Sequence, residues 1–172
     1  MEYIAAYHTD VGTRKETNQD SLALKVISTE EGNVAFAIVC DGMGGLAKGE
    51  LASKEVIEAL NTWFDEVLTE DIQKGEFDEQ KLVSQWDDII QTQNWRLGSY
   101  GEKNHIQLGT TVSAILLYKE QYYIVHVGDS RVYELTKNVR QLTSDQTFIA
   151  REIAAGRMTP EQAKKDPRRS VL

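Results

Sequence analysis

At 172 residues the chain suits one domain of roughly 100–200 residues, and with 41% hydrophobic and 27% charged residues it is not a disordered chain. Two prolines and twelve glycines exclude collagen-like and linker-dominated classes. Nineteen Lys and Arg against 27 Asp and Glu leave a net charge of −8, which excludes a generic nucleic-acid binder, because such a chain repels polyphosphate.

Residues 3–8 and 21–28 carry short apolar stretches separated by a polar turn, Thr9 to Asp20, and read as two strands. Glu30 to Asn33 is a turn signal. Val34 to Cys40 is an unbroken apolar run, the pattern of a fully buried strand, and it ends at Asp41 and a glycine-rich loop. From Glu50 the period changes. Ala52, Val56, Leu60, Trp63 and Phe64 recur at helical spacing. A polar break around 70–79 precedes a second helix marked by Leu82, Trp86, Ile89, Ile90 and Leu97, and Gly98 to Gly109 reads as a loop. Thr111–Tyr118, Tyr122–Val127 and Arg131–Leu135 are three strand-like runs, expected to lie antiparallel. Helical spacing returns at Phe148 and stops at Gly156. Thr159-Pro160-Glu161-Gln162 starts another helix with a capping box, and Asp166-Pro167 closes it. This order of strands, helices, strands and short helices is α+β.

Chemistry concentrates in three places. Asp41-Gly42-Met43-Gly44-Gly45 sets a carboxylate at the end of a buried strand, beside residues that let the backbone approach a ligand. A buried carboxylate needs a partner. A hard divalent cation is one, with the Gly42 carbonyl as a second oxygen donor; a capped strand-to-helix turn is the plainer alternative. Residues 42–47 also fit the dinucleotide fingerprint G-x-G-x-x-A, but the helix that follows runs into a second helix instead of the required strand. Asn18-Gln19-Asp20 forms a second acidic turn behind Arg14 and Lys15, cations able to grip a phosphate or simply to be solvated. Gly128-Asp129-Ser130-Arg131 reads most cheaply as a hairpin turn in which Arg131 pairs with Asp129. The remaining candidates are structural. Cys40, the single cysteine, reads as a small core residue and leaves no internal disulfide or multi-cysteine zinc site. His8, His105 and His126 lack metal-ligand spacing, and Trp63, Trp86 and Trp95 fit helix core faces. No apolar run approaches the ~20 residues of a membrane helix and the first residues are not a signal peptide, so the expected location is the cytoplasm, with no membrane partner.

In combination these motifs are specific. Thr9-Asp10-Val11-Gly12, Asn18-Gln19-Asp20-Ser21, Asp41 to Gly45 with Gly49-Glu50 and Ala52-Ser53, Gly109-Thr110-Thr111, Gly128 to Arg131 and Leu142-Thr143-Ser144-Asp145 resemble, in that order, the bacterial metal-dependent Ser/Thr protein phosphatases of the PPM (type 2C) family. The resemblance spans nearly the whole chain. It implies an α-β-β-α sandwich of two antiparallel sheets flanked by helices, and hydrolysis of phosphoserine and phosphothreonine in phosphorylated proteins by a metal-activated water. Two Mn²⁺ or Mg²⁺ ions are implied, and a third weaker one. Asp41 would bridge both ions, the Gly42 carbonyl would bind one, Asp20 would hold metal-bound water, and Asp129 would line the third site. Asp20 and Asp41 are thus the catalytic candidates, and Arg14 and Lys15 the phosphate-binding ones. The family's phosphate-binding arginine falls at Lys15, with Arg14 one residue earlier; Arg14 is the expected ligand.

The family's later Ser-Asp-Gly and Asp-Asn motifs have no counterpart here. The expectation is a single phosphatase-type domain over 1–172, its N-terminal portion, with 146–172 resembling the flap and the C-terminal strands missing. Open sheet edges would then invite a homodimer, and Mn²⁺ binding would be weak. A catalytically inactive phosphatase-like binding module is the alternative.

Overall fold

The computed structural model describes residues 2–13, 15–43, 48–168 and 171–172. Strands β1 (Asp20–Thr29) and β2 (Gly32–Met43) form an antiparallel hairpin whose register runs from Thr29 opposite Gly32 to Asp20 opposite Asp41. Next come helix α1 (Gly49–Trp63), a π-helical turn (Phe64–Leu68), α2 (Thr69–Gln73) and the long α3 (Glu79–Asn104). A short β3 (Gly109–Thr110) leads into β4 (Val112–Tyr118), β5 (Gln121–Val127), β6 (Tyr133–Leu135) and β7 (Val139–Gln141). Helices α4 (Phe148–Ala154) and α5 (Pro160–Ala163) follow. The main sheet has the order β1-β2-β4-β5, with β3 paired to the end of β2, and β6-β7 is a separate ribbon. The fold is α+β, with two antiparallel sheets and helices.

The unbroken apolar run in β2 has a two-sided cause. Val34, Phe36, Ile38 and Cys40 point at the helices and are buried. The alternate positions Ala35, Ala37 and Val39 lie on the other face, in register with Val26, Leu24 and Leu22 of β1 and with Leu117, Ile115 and Ser113 of β4. On the helix face, Phe36 is the hub. It stacks on Phe64 at 5.4 Å and on Trp86 at 6.2 Å, and meets Trp63 edge-on at 5.7 Å. Leu60 of α1 and Leu82 of α3 close around it. The Trp63 Nε1–H donates to Gln85 at 2.8 Å, so its polar end is satisfied.

Several expectations need correction. Residues 3–8 form no strand: they pair with nothing among the described residues, and Ile4 is 97% exposed. The hairpin carries β2 past Cys40, so Asp41 and Gly42 sit in the strand rather than beyond it. Helix runs without a gap from Gly49 to Gln73, because the π-helical turn absorbs the irregularity and the Thr69 hydroxyl donates back to the Phe64 carbonyl at 2.8 Å. Asp78, whose carboxylate accepts from Lys81 N–H, caps α3. That helix continues through Gly98 and Gly101 to a left-handed His105, where a loop was expected. Strand β6 pairs with β7, an element the sequence did not suggest, instead of with β5. Trp95 is not core; it is 70% exposed. Cys40 and the Thr159–Gln162 capping box are as expected. Among the described residues, no helix is long and apolar enough to cross a membrane.

Phe36→Ala should cost about 3–5 kcal/mol, since it removes the ring that three aromatic neighbours share. Urea denaturation followed by tryptophan fluorescence measures this.

Candidate metal centre

The hairpin register sets Asp20 directly opposite Asp41. Cross-strand partners share a face, so both carboxylates emerge on the side of the sheet away from α1. The backbone of Asp41 is tied on every side. Its N–H donates to the Thr111 hydroxyl at 3.0 Å, and its carbonyl accepts from Thr111 N–H at 2.9 Å and from the Thr110 hydroxyl at 3.1 Å. One residue on, Gly42 N–H donates to the Gln19 carbonyl at 3.1 Å.

Gly42 and the first residue of α1, Gly49, touch backbone to backbone. A Cβ on Gly42 would stand 2.2 Å from the Gly49 carbonyl oxygen and 2.4 Å from that of Gln19. A Cβ on Gly49 would stand 2.7 Å from the Gly42 carbonyl. Only two glycines allow this approach, and it brings the amino end of α1, with its partial positive charge, against the strand beside Asp41. Ser53 of α1 locks the contact. Its buried hydroxyl lies 2.8 Å from both the Gln19 carbonyl and the Ser21 hydroxyl. Gln19, Ser53, Thr110 and Thr111 thus position the acids. All four stand inside the motifs quoted above, which is their only sequence signal.

The electrostatics agree with the geometry. Burial, first, and the negative charge of Asp20, second, push the Asp41 carboxyl above the usual carboxylate range. The positive charge of Lys15 pulls the other way; a hydrogen bond shared with Asp20, and then the charge of Asp129, add to the rise. Lys15 also donates to Gln19 Oε1 at 3.0 Å, so the cation is anchored near the acids. Arg14 and residues 44–47 lie outside the described residues. The converging donors are carboxylate oxygens, a set that suits Mg²⁺ or Mn²⁺. Among the described residues no three His, Cys, Asp or Glu side chains form a ready metal cluster. Asp20 and Asp41 are the pair, and Asp129 acts on Asp41 as a nearby charge.

Asp129 is held differently. Gly128, at φ +113°, turns the chain out of β5, and a Cβ there would stand 2.5 Å from Thr111 Cγ2. Gln146 clamps this turn: its N–H donates to the Gly128 carbonyl at 2.7 Å, its Oε1 accepts from Gly128 N–H at 3.3 Å, and its Nε2 donates to the His126 carbonyl at 3.2 Å. Arg131 does not pair with Asp129, as the sequence suggested. Its Nε and Nη2 donate to the two oxygens of Asp145 at 2.7 and 2.6 Å, because a planar fork finds a bidentate partner there. The Ser130 hydroxyl lies 2.9 Å from that of Thr111, linking the turn back to Asp41.

With this arrangement in hand, comparison with known proteins is decisive on family. Residues 9–172 match the family described as protein phosphatase 2C. A putative protein phosphatase 2C-type of Streptococcus pyogenes is 29% identical over 168 residues, covering 95% of this chain and 63% of the relative. The serine/threonine protein phosphatase PstP of Mycobacterium tuberculosis is 32% identical over 170 residues, 97% of this chain and 30% of that protein. The S. agalactiae serine/threonine phosphatase superposes with a TM-score of 0.80 at 27% identity, over 96% of this chain and 65% of that one. The PstP catalytic domain in complex with two manganese ions superposes with a TM-score of 0.68 at 31% identity, over 91% and 61%. The chain belongs to the protein phosphatase 2C family, and it spans less than two thirds of the length of each of these relatives.

Two substitutions test the site. Gly42→Ala should destabilise the chain by about 1–3 kcal/mol through the forced clash with Gly49 and Gln19, as read by urea denaturation. Asp41→Asn should do the opposite in metal-free buffer. Relieving repulsion from Asp20 is expected to gain about 0.5 kcal/mol, the scale of a partly exposed charge contact, and added Mn²⁺ should raise the melting temperature of the wild type but not of this variant.

Proposed function

We propose that this chain carries the acidic half-site of a metal-dependent Ser/Thr protein phosphatase and acts on phosphoserine and phosphothreonine in phosphorylated proteins. The observation that carries the reading is the Asp20–Asp41 pair, two carboxylates forced into contact across a strand register beside the charge of Lys15. Such a pair is costly unless a cation joins it. The named phosphatase relatives support the same reading.

In this reading Asp41 and Asp20 hold the divalent cations, Mn²⁺ or Mg²⁺, and Asp129 contributes from the clamped turn to a third ion. The Gly42 carbonyl is a further proposed donor. Bound cations supply charge neutralisation for the phosphoryl oxygens and make water acidic enough to attack near neutral pH. Lys15 approaches the acids as a point charge suited to a phosphate oxygen, and Arg14 is the bidentate candidate. The bound PstP manganese pair lends support to two ions here. The domain is read as one phosphatase-type unit over 1–172, with 146–172 as flap, placed in the cytoplasm.

The experiment is Mn²⁺-dependent phosphate release from a phosphothreonine peptide by the 172-residue chain. Activity should vanish with EDTA and fall about 100-fold or more in Asp41→Asn, a loss at least as large as that for outer-shell partners of metal ligands. A folded, Mn²⁺-saturated chain that releases no phosphate would overturn the enzymatic reading and favour an inactive binding module.

We also propose that the chain self-associates. Strands β1 and β5 are the edges of the main sheet, and Val26 on β1 is exposed. Exposed edges template pairing with another chain, and a lysine on the edge opposes it. Sedimentation equilibrium should show a concentration-dependent doubling of mass that Val26→Lys abolishes; a monomer at every concentration would refute it.

A further inference from the structure

His126 of β5 stands directly opposite Ser113 of β4 in the sheet register, and cross-strand partners share a face. The His126 Nδ1 lies 2.9 Å from the hydroxyl of Ser113, a buried residue, and that hydroxyl donates to the Ser130 carbonyl at 3.3 Å. The other ring nitrogen, Nε2, is also buried and has no hydrogen-bond partner among the described residues. Two constraints then fix where the ring carries its proton. A hydroxyl has one proton to give and a carbonyl only accepts. With the Ser113 proton on Ser130, the bond to His126 is one in which Nδ1–H donates. The solitary Nε2 agrees, because a buried acceptor without a donor is tolerated more readily than a buried N–H without an acceptor. The opposite tautomer would strand an N–H at Nε2 and turn the Ser113 proton away from Ser130. A charged ring would strand the same N–H.

The bond reaches the acids through Ser130. That residue follows Asp129 in the turn, and its own hydroxyl lies 2.9 Å from the Thr111 hydroxyl, which accepts from Asp41 N–H. The main-chain carbonyl of His126 accepts from Gln146 Nε2 at 3.2 Å, so His126 is tied to the turn after Gly128 by both side chain and main chain. We propose that His126, neutral and protonated at Nδ1, is a positioning residue for Asp129. Through Ser113 it holds the Ser130 carbonyl, and with it the turn that presents Asp129. The role rests on the reading of Asp129 as a ligand of the third ion. It gives nothing to Asp20 and Asp41, whose places come from the ladder of the main sheet.

Nitrogen-15 magnetic resonance of the metal-free full chain, at about pH 8 where an ordinary imidazole is neutral, should show the His126 ring protonated at Nδ1. The signal is assigned by its loss in His126→Asn. A proton on Nε2 would overturn the proposal. Calorimetric titration with Mn²⁺ gives the second readout, and Asp129→Asn defines the ion that depends on that carboxylate. His126→Leu should weaken this ion about tenfold or more, as loss of a partner behind a metal ligand does, and leave the binding that Asp41→Asn removes unchanged. His126→Asn sets an amide N–H where Nδ1–H stood and should restore the affinity; equal losses in the Leu and Asn variants would overturn the proposal. Ser113→Ala removes the same bridge, should match His126→Leu, and keeps the test decisive if that variant fails to fold. A wild type without an Asp129-dependent ion would strike the third-ion reading and this role together. An Asp129-dependent ion indifferent to both His126→Leu and Ser113→Ala would strike this role alone.

Discussion

The structure turns on one unfavourable contact. Like charges directly opposite on neighbouring strands repel, yet Asp20 and Asp41 occupy that arrangement. Neither residue chooses it; the apolar ladder below them does. Leu22 faces Val39, Leu24 faces Ala37 and Val26 faces Ala35, while Phe36, Ile38 and Cys40 bury themselves under the helices. A slip of one residue would turn every one of these side chains to the wrong face. The many small burial terms of a ten-residue strand therefore hold two carboxylates together against their own repulsion. The upward push on the Asp41 carboxyl, from burial and from Asp20, is the trace of that constraint.

The second constraint is steric. Gly42 and Gly49 bring strand and helix into backbone contact, and Ser53 pins the helix to Gln19 and Ser21 at the same place. These contacts tie the amino end of α1 to the end of β2. Gly42 N–H and the Ser53 hydroxyl both reach the Gln19 carbonyl, so these two donors are satisfied at the close approach. The acids inherit their positions from main-chain bonds rather than from flexible side chains, which is the condition under which a first shell is well organised.

Much of this was legible in the sequence where the signal is local. The run from Val34 to Cys40 announced a strand, and its helix face is buried as expected, whereas Val39 on the other face is 48% exposed. The capping box at Thr159 was read correctly because its donors lie within one helical turn. What failed depended on partners distant in the chain. Residues 3–8 have strand-like composition but no neighbouring strand among the described residues, and propensity alone does not make a strand. Gly98 to Gly109 read as a loop, yet α3 runs on to Asn104; Gly101 is used for packing, since a Cβ there would stand 2.8 Å from the Ile106 carbonyl, whereas Gly98 faces open space. Arg131 was matched to its sequence neighbour Asp129, whereas the fold delivers Asp145 in bidentate geometry from fourteen residues away. Trp95 has helical spacing to the core residues but falls on the solvent side of α3.

The same distinction separates the three acids by how firmly they are held. Asp20 and Asp41 belong to the ladder of the main sheet, and moving either one means breaking strand pairing around a buried core. Asp129 stands outside the ladder, after the sharp turn at Gly128, and its place depends on Gln146 spanning that turn and on the Arg131–Asp145 pair. The latter is partly exposed, with Arg131 46% accessible, and exposed ion pairs contribute little on their own. The Gln146 bonds are neutral and each adds only a modest net amount. Two acids are therefore set by the core and one by a set of side-chain clamps. A cation between the first two would find its ligands already in place. One that drew on Asp129 would rely on a turn held only by side-chain clamps, so any shift of that turn on binding is subtracted from its affinity.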